Sequence, residues 1–393
     1  MISILMNHKE FRGKYDVTLY FRSSRAYNMG MSARLKSLES TKSLPLIALR
    51  RSKLPLIVRD NIFFRVALRM IATVLLPATY LVNAVILYVN FLSTDRDVII
   101  INNGGYPGAP SCLQAAVIAR LIGFRKIIMV VNNIAQSPKG VFKSLSKLYD
   151  TVVFGAIDNI ITGSKVTGLA LRDARRTEDT KLLVVPNGIS MERFETVHVT
   201  DRRSKIFNRG QVIHFSIIGL HELRKGHLVL LEALKMLISR RADLCDRIMV
   251  NIEGHGDLTR SLMTFVNENN LSSLVDFHGH VDNISKFYKD TDVLVHPSLF
   301  SEDLPNVISE AMLFGIPTIG SNIAGIPSQI SDDKNGFLVE PGDYSVLSQR
   351  METFLDKPEV LKYMSNECVA KFDMDYHSDV AVSRYIDLIE EKI

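Results

Sequence analysis

The feature that most constrains the fold is an alternation that runs along most of the chain. Short β-branched runs recur, each separated from the next by a helix-length segment. Asp97 to Ile101 (DVIII), Lys126 to Val131 (KIIMVV), Asn159 to Thr162 (NIIT) and Leu182 to Val185 (LLVV) form one series. Val212 to Ile218 (VIHFSII), Ile248 to Glu253 (IMVNIE), Val275 to Gly279 (VDFHG), Asp292 to His296 (DVLVH) and Pro317 to Gly320 (PTIG) form a second. Parallel strands need a crossover of a dozen or more residues, and strand-turn-helix repetition supplies it, so each series predicts an α/β unit on a parallel sheet. The polar, charged stretch from His198 to Gln211 lies between them without apolar periodicity and reads as a linker. The expected organisation is two doubly wound domains, residues 1–197 and 212–370, joined by 198–211 and followed by a C-terminal helix over 371–393. Ligands of such sheets sit beyond the carboxyl ends of the strands, and here in the cleft between the domains.

Length and composition agree with two cored domains: 393 residues, 47% hydrophobic and 23% charged. Cys112, Cys245 and Cys368 are far apart and in no metal-ligand spacing, so neither a disulfide framework nor a zinc site is encoded. The opening MISILMNHKE lacks the basic and apolar regions of a signal peptide. A cytoplasmic setting is expected. Residues 1–69 hold 14 Lys/Arg against 4 Asp/Glu although the whole chain carries only +5. One end is therefore strongly basic, a property that attracts either nucleic acid or an anionic membrane. No base-reading motif or aromatic interleaving accompanies it, which leaves nucleic acid without support. Met70 to Leu92 follows, uncharged and long enough to span a bilayer, but Pro77 interrupts it and Asn83 and Asn90 are polar. With Arg65 and Arg69 just upstream, it reads as a buried or membrane-surface helix rather than a span.

The most specific segment is PSLFSEDLPNVISEAMLFGIP, Pro297 to Pro317. A strand ends at His296, a loop carries Glu302 and Asp303, and a helix is expected from Pro305 to Gly315. Ile308, Ala311 and Met312 form its packing stripe, while Asn306 and Glu310, four apart, share another face. Taken alone, the two glutamates could be a helix-start acid and a surface acid. Their setting, P-S-x-x-S-E-x-x-P-x-x-x-x-E-A-M-x-x-G-x-P, closely resembles the signature of the group 1 (family 4) retaining GT-B glycosyltransferases. GLHELRKGHLVLLEAL, IEGHGD, DFHGHVDNISKFYKDTDVLVHPS, SNIAGIPSQISDDKNGFLVEPGD and VVPNGIS follow in that family's order.

The resemblance implies a GT-B fold and transfer of a sugar from a nucleotide-sugar donor, with retention. It implies that Glu302 orients the donor sugar, beside the N–H groups of Asp303 and Leu304. Glu310 would grip the ribose, with Asn306 on the same helix, and the backbone from Gly279 to Val281 would meet the base. Departure of a nucleoside diphosphate requires charge neutralisation. Lys225, before Gly226, supplies a point charge, and helix-start N–H groups after Gly219 and Asp303 supply oriented donors. Arg224 is the second available cation, expected mainly in solvent because neighbouring side chains in a turn diverge. Gly254 belongs to the G-x-G turn of the donor site. No cofactor and no metal is expected; the D-x-D triplet Asp373-Met374-Asp375 reads as a surface feature.

Several positions depart from the pattern. Leu220 stands where the family commonly has an arginine, and Asn132 with Asn133 where it often has a histidine. Asparagine positions a hydroxyl but takes no proton. The N-terminal sequence resembles the end of the family's first helix followed by its second strand, so a first strand is apparently absent. The loop Asn103 to Pro110 (NGGYPGAP), with Gly104 and Gly105, is either a plain turn or part of an acceptor side shared with Asn132 and Asn133. The expected acceptor is membrane-borne, lipid-linked or saccharide, in polysaccharide or lipopolysaccharide (O-antigen) biosynthesis. The expected location is the cytoplasm, with peripheral attachment to an anionic membrane surface. The alternative is a catalytically inactive GT-B protein that acts as a binding partner.

Overall fold

The computed structural model describes residues 1–47, 62–137, 143–194, 212–300 and 302–391. The expected linker, 198–211, and Ser301 lie outside them.

The N-terminal domain contains β1 (Leu19–Arg22), β2 (Thr41–Leu44), β3 (Val98–Asn103), β4 (Lys126–Val131), β5 (Asn159–Thr162) and β6 (Leu182–Val184). β3 to β6 form a parallel sheet in sequence order, and β1 pairs only with β2 in a separate parallel pair. Among the described residues no strand joins β1 to β3, as the N-terminal sequence leads one to expect. Burial follows: β4 is buried at all six positions, whereas Val98, Ile99 and Ile100 of β3 are only half-buried. A β-branched run that belongs inside a sheet here stands at an edge.

The helix Ile62–Leu92 runs on through Pro77, contrary to the expected interruption. A proline costs a helix the hydrogen bond to the carbonyl four residues back but does not forbid continuation. Asn83 is buried, and its amide donates to the Ile47 carbonyl (2.9 Å) and accepts from the Ile47 N–H (2.8 Å), tying the helix to the segment after β2. Leu87 and Phe91 point into the core with Leu113 and Phe124. Leu81, Val85, Tyr88, Val89 and Leu92 occupy the opposite face and are exposed. Among the described residues no helix is long and apolar enough to cross a membrane.

The C-terminal domain contains β7 (Ile213–Ile218), β8 (Ile248–Glu253), β9 (Val275–Gly279), β10 (Val293–His296), β11 (Thr318–Ser321) and β12 (Gly336–Val339). All six are parallel, in the order β12-β11-β10-β7-β8-β9. The order reverses between β7 and β10, and the crevice beyond their carboxyl ends is the place where such sheets bind ligands. The core is continuous, with Phe215, Leu230, Leu234, Val250, Val295, Leu347 and Phe354 almost fully enclosed.

The expected C-terminal helix segment, 371–393, holds a π turn and one helix among the described residues. Glu359–Lys371 ends in a π turn, Phe372–Tyr376, and Ser378–Ile389 then crosses back beneath the N-terminal sheet. There Val382, Tyr385 and Ile386 pack with Ile128, Val130 and Ile161, and with Leu5 and Phe11 of the two N-terminal helices. The Lys126 ammonium donates to the Leu388 carbonyl (2.5 Å). Asp375, of the Asp-Met-Asp triplet, pairs with Lys371 (3.3 Å) and Arg384 (3.7 Å).

Candidate functional site

Two loops leave the sheet at its switch point and lock together. After β7, the chain passes Gly219 and a turn, Leu223–Lys225, before the helix His227–Arg240. After β10 it runs from Pro297 to Glu302. Gly226 has φ +72, and a Cβ there would lie 1.9 Å from the Pro297 carbonyl oxygen. Only glycine allows that approach. The Leu299 N–H also donates to the Arg224 carbonyl (2.8 Å).

The consequence is that both cations of the first loop reach the carboxylate of the second. Arg224 Nη1 donates to Glu302 Oε1 at 2.9 Å, and Lys225 Nζ donates to the same oxygen. Arg224 is therefore not in solvent as expected; its Nε also donates to Glu222 (2.8 Å). The turn and the left-handed Gly226 redirect the chain so that adjacent side chains converge. Ser298 Oγ donates to Glu302 Oε1 (3.1 Å) and lies 3.2 Å from His296 Nε2. Glu302 is 8% exposed. Burial alone would raise its pKa, but the His296 imidazole and the Lys225 ammonium outweigh that and hold it at about 2. Burial lowers the pKa of His296, against the opposing pull of Glu302. His227, beside the cations, is held at about 3 by burial first and then by the charges of His221, His296 and Lys225.

A third loop completes the wall. Gly254 has φ +118, and a Cβ there would lie 2.0 Å from the Gly219 carbonyl oxygen, so the turns after β7 and β8 touch backbone to backbone. The Gly254 N–H donates to the Gly279 carbonyl (2.7 Å). Glu253 Oε1 accepts from the Val281 N–H (3.3 Å). Beyond these loops opens a cavity of about 800 Å³, lined by Ile218, Glu253, Val281, Ile284, Val307 and Glu310, among others. Glu310 is buried and accepts from the Tyr288 hydroxyl (2.9 Å). Of the expected donor-side residues, Val281 and Glu310 line this cavity, Gly219 and Gly254 follow directly on its lining residues Ile218 and Glu253, and Lys225 lies against Gly219 and pairs with Glu302. Asn306 is exposed at the start of the helix Asn306–Leu313, whereas Glu310, one turn further along, is buried. Asp303 turns away from the cavity and Leu304 packs beside Gly163 of the N-terminal domain. Leu220 is 47% exposed.

Across the cleft, Asn132 Nδ2 donates to Asn102 Oδ1 (2.7 Å) and Asn133 Nδ2 to the Gly104 carbonyl (2.5 Å). Gly105 lies against Asn133. The carboxyl ends of β3 and β4 therefore present an amide-lined surface. Sequence reasoning did not single out Glu253, His296 or Ser298. The available signal was a charged or polar residue at or just after the end of an apolar strand, where it faces the crevice.

Residues 200–368 match the family model described as Glycosyl transferases group 1. The chain is 30% identical over 219 residues to a UDP-Gal:alpha-D-GlcNAc-diphosphoundecaprenol alpha-1,3-galactosyltransferase of Escherichia coli, covering 54% of this chain and 56% of the relative. It is 25% identical over 172 residues to the capsular polysaccharide biosynthesis glycosyltransferase CapM of Staphylococcus aureus, covering 43% of this chain and 44% of the relative. The chain spans about half the length of the curated relatives it matches. Among solved structures, the Anabaena protein HepE in complex with UDP superposes with a TM-score of 0.73 at 15% identity, over 99% of this chain and 95% of that one. The outer core galactosyltransferase WaaB superposes with a TM-score of 0.60 at 19% identity, over 80% and 81%. These likenesses establish the two-domain GT-B architecture.

The ion cluster makes a prediction about stability in acid. The folded-state pKa of Glu302 lies below its ordinary value, so the carboxylate contributes stability that is present above about pH 4.5 and lost as pH falls towards 2. The difference in unfolding free energy between wild type and Glu302→Gln should shrink by on the order of 2–3 kcal/mol across that window. Urea melts at a series of pH values measure it; a difference that does not change with pH contradicts the placement of the charge.

Proposed function

With residues 200–368 forming a group 1 glycosyltransferase domain in a GT-B fold, we propose that the protein transfers a sugar from a nucleoside diphosphate sugar to a membrane-borne glycan acceptor. Polysaccharide or lipopolysaccharide assembly is the setting that the named relatives support. UDP is the favoured nucleotide, since the Escherichia coli relative is named for a UDP-Gal donor and the HepE structure is a complex with UDP.

The observation that carries this reading is the convergence of Arg224 and Lys225 on Glu302, with the Lys225 stem against Gly219, the residue that follows Ile218 in the lining of the Glu310 cavity. Arg224 and Lys225 are balanced by Glu302 and Glu222, and a diphosphate would compete with these carboxylates for the two cations. A donor diphosphate would take over these cations, and the same charges would neutralise the leaving group as its bond to the sugar breaks. Glu302, released from them, would accept hydrogen bonds from the sugar hydroxyls. Glu310 would accept from the ribose, and the backbone near Val281 would meet the base. Retention would follow from acceptor attack on the face that the diphosphate leaves, a path that asks for no protein nucleophile. The role taken by a metal in other diphosphate sites falls here to Lys225 and Arg224. Asn132 and Asn133, across the cleft, would position acceptor hydroxyls without taking their protons.

The exposed apolar face of the helix Ile62–Leu92, continuing a strongly basic N-terminal segment, supports attachment at a membrane surface, where a lipid-linked acceptor resides.

Two outcomes follow. Calorimetric titration of UDP should show Lys225→Ala and Arg224→Ala each weakening affinity roughly ten- to a hundredfold, or about 1.5–3 kcal/mol for a charged hydrogen bond. Unchanged affinity in both variants would remove the diphosphate from this crevice. The protein should also pellet with vesicles containing anionic lipid. Val85→Glu, on the exposed helix face, should reduce that binding at least about tenfold; equal pelleting of wild type and variant would leave the helix out of the membrane contact.

A further inference from the structure

Asp303 follows the glutamate on which the donor reading rests, yet its side chain does not enter the donor cavity. It crosses to the other domain. Asp303 Oδ1 accepts from Ser164 Oγ (3.0 Å) and from Thr167 Oγ1. Ser164 Oγ and Thr167 Oγ1 lie 3.0 Å apart, so one carboxylate oxygen and two hydroxyls form a closed triangle. Asp303 is 6%, Ser164 1% and Thr167 0% exposed. Ser164 is also the N-cap of the helix Lys165–Arg175, with its hydroxyl accepting from the Thr167 N–H. The carboxylate of one domain thus docks at the positive end of a helix in the other, a favourable place for negative charge.

The backbone is fitted to this junction. A Cβ on Gly325 would lie 2.2 Å from the Asp303 carbonyl oxygen and 3.1 Å from Ser164 Oγ. A Cβ on Gly163 would lie 3.6 Å from Leu304 Cβ and 3.7 Å from Asp303 Oδ2. Three segments from both sides of the cleft therefore meet, Gly163–Ser164, Asp303–Leu304 and Gly325, and at Gly325 there is no room for another carbon. Burying a carboxylate costs free energy unless its oxygens are hydrogen-bonded, so undocking the domains would strip Asp303 of these partners. Its peptide is bonded directly to Glu302.

We propose that Asp303 is a positioning residue, a latch that fastens the Glu302 loop to the N-terminal domain so that the loop holds its donor-facing geometry only while the two domains are docked. This rests on the donor reading for its functional meaning, but the latch itself is a statement about coupling. Loosening either end should loosen the other, although the two ends lie 136 residues apart in sequence and in different domains.

Amide hydrogen exchange on the full chain tests it, with Asp303→Ala, Asp303→Asn, Thr167→Val and the double variant Asp303→Ala/Thr167→Val. Thr167→Val removes the hydroxyl at nearly constant shape and leaves the Ser164 cap in place. Asp303→Ala should speed exchange at least about tenfold both at residues 302–306 and at 163–168. Thr167→Val should speed exchange at 302–306, across the cleft, and the double variant should be no faster than Asp303→Ala alone, because both changes break one coupled unit. Asp303→Asn, whose amide oxygen still accepts from both hydroxyls, should stay close to wild type. Loosening confined to 302–306 in Asp303→Ala, an unperturbed 302–306 in Thr167→Val, or additive effects would each overturn the latch. Should Asp303→Ala fail to fold, the cross-domain response of Thr167→Val decides the question. Calorimetry with UDP separates this from the donor reading. Affinity should agree within about threefold between wild type and Thr167→Val, since UDP lacks the sugar that the Glu302 loop is proposed to hold and would meet Glu310, Arg224 and Lys225 instead. Absence of UDP binding in wild type would overturn the donor reading while the exchange result stood.

Discussion

The structure depends on one buried carboxylate and the two cations brought to it. Glu302 lies in a polar but enclosed crevice, where an unpaired charge would cost several kcal/mol, and Arg224, Lys225 and Ser298 remove that penalty. Their meeting is a property of the backbone. Gly226 lets the loop after β7 lie against Pro297, and Gly254 lets the turn after β8 lie against Gly219. The sheet order reverses between β7 and β10, so both loops emerge beside the same crevice. Topology supplies the place, glycines supply the approach, and charge complementarity fixes the side chains.

That crevice belongs to a molecule whose halves meet through contacts of different kinds. On one side the helix Ser378–Ile389 leaves the C-terminal domain and buries Val382, Tyr385 and Ile386 beneath the N-terminal sheet. At the cleft, the Ser164, Thr167 and Asp303 triangle makes a second, small and polar connection. The first is an extended apolar contact whose opening would expose a core. The second is a few hydrogen bonds, the kind of contact that domain motion can make and break. A GT-B protein that must admit a donor and exclude water during transfer is served by that asymmetry.

Much of this is legible in the sequence because strand and helix periodicities are local. KIIMVV, NIIT, IMVNIE and VDFHG are strands with the boundaries read from composition alone. β12, Gly336–Val339, escapes such a reading because it begins on a glycine and follows a polar turn run, DDKN, rather than a helix-length segment. Pro77 suggests a break that does not occur, because the propensity of one residue is weaker than the packing of Leu87 and Phe91. The order of the motifs singles out Glu302, Lys225 and Glu310, of which the first two pair and the third lines the cavity. Arg224 is not placed by sequence, because the direction of a side chain in a turn depends on a left-handed glycine and on a partner 78 residues away. The bonds of Asp303 to the other domain leave no local trace, since Ser164 and Thr167 carry ordinary helix-start residue types.

Everything functional turns on whether the crevice beyond β7 and β10 holds a nucleotide sugar. Saturation-transfer NMR on the purified protein with UDP-, GDP-, ADP- and dTDP-sugars tests this most directly, because it reads binding without requiring the acceptor. Saturation should pass to the uridine, ribose and sugar protons of a UDP-sugar and be abolished by excess UDP. Absence of transfer to every member of the panel would contradict a donor site in this crevice.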